Sequence, residues 1–230
     1  MIISGHQPNY LPWLGYFHKM MSCDLFIILD DVNYSRSEIT NKNKIKGPEG
    51  ARLLTVPRNR NLKPCLIKDV TVAKDNNWHQ NHWHSLRTCY TRSPYWQEYK
   101  NLLLPIYTNP GENLAQLNLR LIDIIREVLE IKTPLVLSSE ISGIKGNKGT
   151  RIMNICKYFN ADIYLSGTGA RAYNDEMDFE RNNIRLVYQE FEHPVYPQLW
   201  GNFIPGLSAV DLIFNCGPQS KDYLTKQVVV

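Results

Sequence analysis

The chain lacks any apolar run approaching the roughly 20 residues that span a bilayer. Its opening, MIISGHQPNY, lacks the basic start and long apolar stretch of a secretory leader. Neither a membrane span nor export is expected, which places the protein in the cytoplasm without a membrane partner. Cysteine is scarce and scattered: Cys23, Cys65, Cys89, Cys156 and Cys216 form no CxxC pair. A disulfide framework and a thiolate zinc site are not indicated, and the cysteines read as small buried apolar groups. No charge is in large excess; the net +4 is too mild to favour nucleic acid as a partner. There is no repeat of solenoid period and no low-complexity tract. What remains is an ordinary globular composition, 43% apolar and 21% charged over 230 residues. That suits a single domain, 1–230, with a sizeable core.

Residues 2–4 form a short apolar opening, and 25–29 (Leu-Phe-Ile-Ile-Leu) form a continuous apolar run, as in strands buried on both faces. Between them Leu14, Phe17 and Met21 recur at helical spacing, with Pro12 suited to the first turn. Strand, helix, strand is a βαβ unit and requires parallel pairing. A second unit runs from 135–137, through a helix capped by Thr150 and carrying Ile152, Ile155, Cys156 and Phe159, to a strand over 161–165. Two such units predict an α/β fold, a doubly wound parallel sheet with helices on both faces. Residues 53–57 and 184–188 read as further strands. Leu114, Leu117, Leu121, Ile125 and Val128 mark a helix of about five turns that stops near Thr133 and Pro134. With the aromatic-rich helical stretch 78–103, it predicts a helical insertion around 78–131. Ser208 and Asp211 fit a capping box stapled by Leu207 and Leu212, with Gly217 where that helix ends.

In a doubly wound sheet, ligands bind beyond the carboxyl ends of the strands, where helix starts offer free N–H groups and a positive dipole end. The loop after the first strand spans 5–16, GHQPNYLPWLGY. His6, Gln7, Pro8, Asn9, Tyr10 and Trp13 there suit gripping a nucleotide or positioning a proton donor. The alternatives are a backbone-bonded buried histidine and core-packed rings. After the 161–165 strand comes Ser166-Gly167-Thr168-Gly169-Ala170-Arg171, whose glycines, hydroxyl and guanidinium fit phosphate better than a carbonyl-rich ligand; the alternative is a tight turn with a solvated arginine. Asp30 and Asp31 close the second strand, followed by Tyr34 and Arg36. One carboxylate there can reach a ligand and hold Mg²⁺ or an amine, unless it simply pairs with Arg36.

Positive charge is concentrated between Arg36 and Lys63, where eight lysines and arginines face two glutamates. That surface is either solvated or phosphate-facing. Within it, Asn41-Lys42-Asn43-Lys44-Ile45-Lys46-Gly47 fits phosphate or an acidic sugar nucleotide, or else a solvated turn. In the WHQNHWH stretch, His79 and His82 share a helix face without His84, and no carboxylate or cysteine sits at a useful offset. A packed aromatic helix is expected there rather than a metal site. His193 and Gln198 belong to a loop rich in proline and aromatics, of a kind that shapes substrate pockets. Asp211 looks catalytic, but the capping role explains it better.

The two glycine-containing loops resemble signatures of the nucleotidyltransferase-like α/β superfamily, G-x-x-P-x-H-x-G-H and S-S-T-x-I-R. Gly5 and Pro8 keep register with the first; Ser166, Thr168 and Arg171 match the second. Tyr10, Pro12 and Trp13 stand where that superfamily has His, Gly and His. The chain as a whole resembles the WbqC-like protein family. The likeness rests on HQPNYLPWLGYFHKM, LDDVNYSR, NKNKIKG, LTVPR, YLSGTGARAY, HPVYPQ and LSAVDLIFNCG.

That resemblance implies acylation of an amino sugar by an amino acid, in surface polysaccharide biosynthesis. The expected enzyme is an ATP-dependent ligase working through an acyl adenylate. Its partners would be a small amino acid such as glycine and a nucleotide-linked amino sugar. Gln7, Pro8, Trp13, Lys42, Lys44, Ser166, Gly167, Thr168, Gly169 and Arg171 would bind ATP with its Mg²⁺. His6, assisted by Asn9 and Tyr10, would stabilise the leaving diphosphate, and Asp31 would orient the amine. Asp30, Tyr34, Arg36, Asn41, His193 and Gln198 would contact the acceptor. A simple nucleotidyltransferase and a non-catalytic nucleotide-sugar binding protein are the other readings.

Overall fold

The computed structural model describes residues 1–35, 39–59, 65–74, 77–146, 148–172 and 174–225. β1 (Ile2–His6) runs through α1 (Leu14–Met21) into β2 (Leu25–Ile28). Later come β5 (Leu135–Leu137), α5 (Lys148–Tyr158), β6 (Ile163–Ser166), α6 (Glu176–Arg181) and β7 (Arg185–Tyr188). These strands form one parallel sheet in the order β5-β2-β1-β6-β7. Alternate residues of β2 explain the layering. Phe26 and Ile28 enter a core with Leu14, Phe17 and Leu121, whereas Ile27 joins Ile3, Ile155, Tyr164 and Phe179 on the other face. The sheet is thus covered on both faces, as expected of a doubly wound fold.

The chain leaves β1 toward β2 and β5, then crosses to β6 and β7 on the other side of β1. The strand order therefore reverses between β1 and β6, and the crevice at their carboxyl ends is the topological switch point. Its two lips are the loops singled out above.

Between β2 and β5 lies a hairpin of β3 (Lys42–Gly47) and β4 (Gly50–Thr55), then α2 (Trp78–Tyr90), α3 (Trp96–Thr108) and α4 (Leu114–Val128). The strand read at 53–57 is β4 of this antiparallel hairpin. The amide- and lysine-rich stretch 41–47 is not a solvated turn. It is a strand that buries Asn43, Ile45 and Lys46 and leaves Lys44 outward. The 78–103 stretch is helical but broken at 91–95, where Ser93 bonds back to the Tyr90 carbonyl. Ring contacts join the helices: Trp83 to Trp96 at 5.5 Å, and Trp96 and Tyr90 each to Phe214 at 5.0 Å.

Two boundaries also move. Helix α1 begins at Leu14 with Trp13 at its N-cap, so Pro12 precedes it; α5 begins at Lys148, so Thr150 lies inside. Ser208 does cap α7 (Ala209–Cys216), which is followed by α8 (Ser220–Thr225). Asp211, however, turns away from the cap. Its carboxylate accepts from the Tyr90 and Tyr196 hydroxyls at 2.7 and 3.0 Å. Gly217 ends α7 at φ +54°, and a Cβ there would collide with the Tyr95 ring.

Candidate functional site at the β1–β6 crevice

Helix α1 is short, and seven of its eight residues are buried, so it packs on almost every side. One of them is Lys19, only 3% exposed. Its Nζ donates to the Gly5 carbonyl at 3.0 Å, at the carboxyl end of β1. On the β6 side, a Cβ at Gly167 would lie 3.7 Å from Nζ, so the glycine leaves the ammonium uncovered by a side chain. No ion pair reaches Lys19 among the described residues. Buried lysines are almost always paired, because an isolated desolvated charge is costly. Burial lowers the Lys19 pKa to about 8, so the group is still mostly charged at neutral pH.

His6 stands beside it, half-buried, with its ring 5.0 Å from that of Tyr16. Burial first, and the Lys19 charge second, hold its pKa down at about 3, so the imidazole is neutral. Its Nδ1 donates to the Gln7 carbonyl at 3.1 Å. A carbonyl only accepts, so this contact fixes the proton on Nδ1. A neutral ring cannot offer positive charge to a leaving diphosphate, as expected of His6 above. Lys19 can.

The loop that follows is held from every side. Asn118 of α4 donates to the Pro8 and Thr40 carbonyls at 2.8 and 2.7 Å; Asn43 of β3 donates to the Leu11 carbonyl at 2.6 Å. The Thr40 hydroxyl donates to Gln7 Oε1 at 3.1 Å, and Ala209 N–H to the Pro12 carbonyl at 2.9 Å. Leu11 is thereby kept at φ +44°, a conformation a branched residue adopts only under constraint. The Tyr10 hydroxyl bonds to His82 Nδ1 at 2.8 Å and to the Tyr107 hydroxyl at 2.9 Å, all inside the core. Tyr10 therefore anchors the loop instead of facing the crevice. Asn9 is 1% exposed, yet both polar atoms of its carboxamide lack a partner among the described residues. Trp13 is half-buried and packs edge-on against Phe191 at 5.4 Å.

On the β6 side, Ser166 is buried and accepts from Asn174 Nδ2 at 3.0 Å. Thr168, Gly169 and Arg171 are exposed, with the Arg171 guanidinium 4.8 Å above the Tyr188 ring at the end of β7. The two lips thus spring from paired strands, Ser4 opposite Leu165, and Lys19 lies between them.

Other candidates are committed elsewhere. Asp30 accepts from Ser139 N–H at 3.0 Å and from its hydroxyl at 2.6 Å; Asp31 accepts from Ser138 and pairs with Arg151 at 2.5 Å. Both carboxylates fasten the end of β2 to the turn after β5 and to α5. Asp31 has Arg151 as its partner in place of Arg36, which lies outside the described residues. The donor set does not fit a protein-held Mg²⁺, and among the described residues no three acidic, histidine or cysteine groups cluster. Asn41 donates to the Val56 carbonyl, and Gln198 is used up by Ile204 and Lys46. Tyr34 lies under the Arg58 guanidinium, Lys42 and Lys44 sit on β3, and His193 Nδ1 donates to the Pro194 carbonyl.

The two cavities described do not open at the crevice. One, about 330 Å³, lies between α2 and α3; the other, about 410 Å³, lies at the amino ends of β6 and β7. No helix among the described residues is long and apolar enough to cross a membrane.

The arrangement is one lysine without an acid, one neutral histidine and two polar loops at a switch point. The profile of the WbqC-like protein family matches residues 7–223, which takes in the second lip and the first from Gln7 onward. The chain belongs to the WbqC-like protein family. The Mycobacterium tuberculosis protein Rv1507c, itself uncharacterized, is 36% identical over 222 residues, covering 95% of each chain. No solved structure matches. Within this WbqC-like chain the residue missed by sequence reasoning is Lys19. Its signal was present: LGYFHKMM has no acidic residue to pair a lysine inside a largely apolar helix.

Proposed function

We propose that this WbqC-like protein is a nucleotide-dependent enzyme that forms an amide between a small amino acid and a nucleotide-linked amino sugar. The observation that carries the reading is Lys19, a buried cation without a carboxylate, set between β1 and Gly167 at the switch point. Such a group is suited to an anionic substrate, and the exposed Thr168 and Arg171 extend the same lip.

In the first step, the amino-acid carboxylate oxygen attacks the α-phosphorus of ATP, and diphosphate leaves with the electron pair of the broken P–O bond. In the second, the sugar amine attacks the acyl carbon, the C–N bond forms, AMP departs and the amine loses a proton. Lys19 holds phosphate oxygens through both steps, a fixed charge acting in a site of low dielectric. Holding both substrates in one crevice supplies much of the acceleration.

Incubation with ATP, Mg²⁺, glycine and a panel of UDP-, dTDP- and GDP-linked amino sugars tests the reading by mass spectrometry. AMP together with a glycyl amide is expected. Nucleotide retained in the product, or no AMP and no amide across the panel with several amino acids, would refute it.

A further inference from the structure

We infer that His6 is the catalytic acceptor for the attacking amine, receiving its N–H at Nε2. The inference rests on the proposed amide-forming reaction and names the group that handles the nucleophile.

The geometry is specific to this histidine. Nδ1 is occupied as a donor by the Gln7 carbonyl, so the lone pair lies on Nε2. Nε2 has no hydrogen bond among the described residues, and His6 is half-buried at the carboxyl end of β1. Tyr16 fixes the ring plane from one side. The other histidines lack this combination. His18 Nδ1 accepts from Gln189, His82 is enclosed with Tyr10, and the free nitrogen of His193 is fully enclosed. His79 and His84 line the distant groove between α2 and α3.

The amine must attack as the neutral base, with its lone pair toward the acyl carbon. An N–H directed to Nε2 orients that lone pair. As the C–N bond forms, nitrogen becomes positive and its proton is lost to solvent, while AMP leaves with the C–O electron pair; Nε2 accepts the N–H hydrogen bond throughout and stays unprotonated. Lys19 and Tyr16, both on α1, are the ionisable groups against the ring among the described residues. With Lys19 alongside, the ring stays neutral, which leaves the Nε2 lone pair available to the amine.

The test pairs kinetics with a spectroscopic readout that needs no turnover. His6→Ala is expected to lower kcat for amide formation about 100-fold, with ATP affinity within threefold of the parent. His6→Gln, whose carbonyl can accept the same N–H, is expected to recover part of the loss. In ¹⁵N-histidine NMR of the full chain, His6 should show a protonated Nδ1 and a bare Nε2. The Nε2 resonance should shift with a UDP-linked 4-amino sugar and stay in place with its 4-deoxy counterpart. A protonated Nε2, an Nε2 indifferent to the amine, or a His6→Ala variant with unchanged kcat overturns the inference even if amide is made. Absence of amide with an amine-responsive Nε2 instead removes the proposed reaction and leaves His6 as an amine acceptor.

Discussion

Lys19 and Lys46 are both almost fully enclosed, at 3% and 1% exposure, yet the protein satisfies them very differently. Lys46 donates to Gln198 Oε1 and to the Gly201 and Asn202 carbonyls, and the Asp211 charge is close enough to oppose the effect of burial on its pKa. Asp211 is itself held by Tyr90 and Tyr196. Burial pushes its carboxyl pKa up, while those hydroxyls and Lys46 pull it back. Every member of that network has a partner, and together they fasten the hairpin, α2 and the 196–204 loop onto α7. Among the described residues, Lys19 donates only to the Gly5 carbonyl and meets no carboxylate. A closed polar network rigidifies a core; an open one at a switch point keeps its binding capacity for a ligand. Under the proposed function, the same side chain serves structure in one place and recognition in the other.

The comparison breaks most visibly in turnover. Lys19→Met is expected to reduce amide formation by 100-fold or more, the scale seen when a fixed donor at a reacting anion is removed, whereas a steady-state rate within tenfold of the parent would place Lys19 outside the site. Stability should move the other way round. Lys46→Met leaves Asp211 buried without its cation and is expected to cost about 3–5 kcal/mol, a Tm drop on the order of 10 °C by calorimetry. Lys19→Met removes a desolvated charge that has no carboxylate to abandon among the described residues, only the Gly5 carbonyl, so its Tm should hold or rise. Equal losses in the two variants would erase the distinction.

A third effect is a pH dependence. The free-protein pKa of Lys19, depressed from 10.5 to about 8, means its charge is present below that pH and lost as pH rises through it. Nucleotide affinity is therefore expected to weaken above about pH 8, by up to roughly tenfold per unit if only the charged form binds. Titration between pH 6 and pH 10 checks this. The smallest effect is expected at Tyr10. Tyr10→Phe leaves His82 and Tyr107 each short of a partner and should destabilise by about 1–2 kcal/mol in urea unfolding.

The parallel sheet was legible because 2–4, 25–29, 135–137, 161–165 and 184–188 are short apolar runs, and a strand buried on both faces has no other pattern. The two lips were legible for a topological reason: they follow the two strands that flank the reversal. The hairpin was misread because Asn43 and Lys46 are polar residues on the inward side of β3, satisfied by the Leu11 carbonyl and by the 198–202 loop. No local pattern discloses such distant acceptors. Asp30, Asp31 and Asp211 were recognisable as carboxylates of consequence, but their partners Ser139, Arg151, Tyr90 and Tyr196 lie far along the chain. Lys19 was hidden by the same fact in reverse. The helix showed no acid to pair it, but whether a distant carboxylate reached it was settled only by the assembled crevice.

Isothermal titration of ATP into the parent protein and into Lys19→Met at pH 7 tests the central claim most directly. The account predicts at least about 30-fold weaker binding in the variant, near 2 kcal/mol, with its fold intact by circular dichroism. Equal affinity in a folded Lys19→Met protein would contradict it.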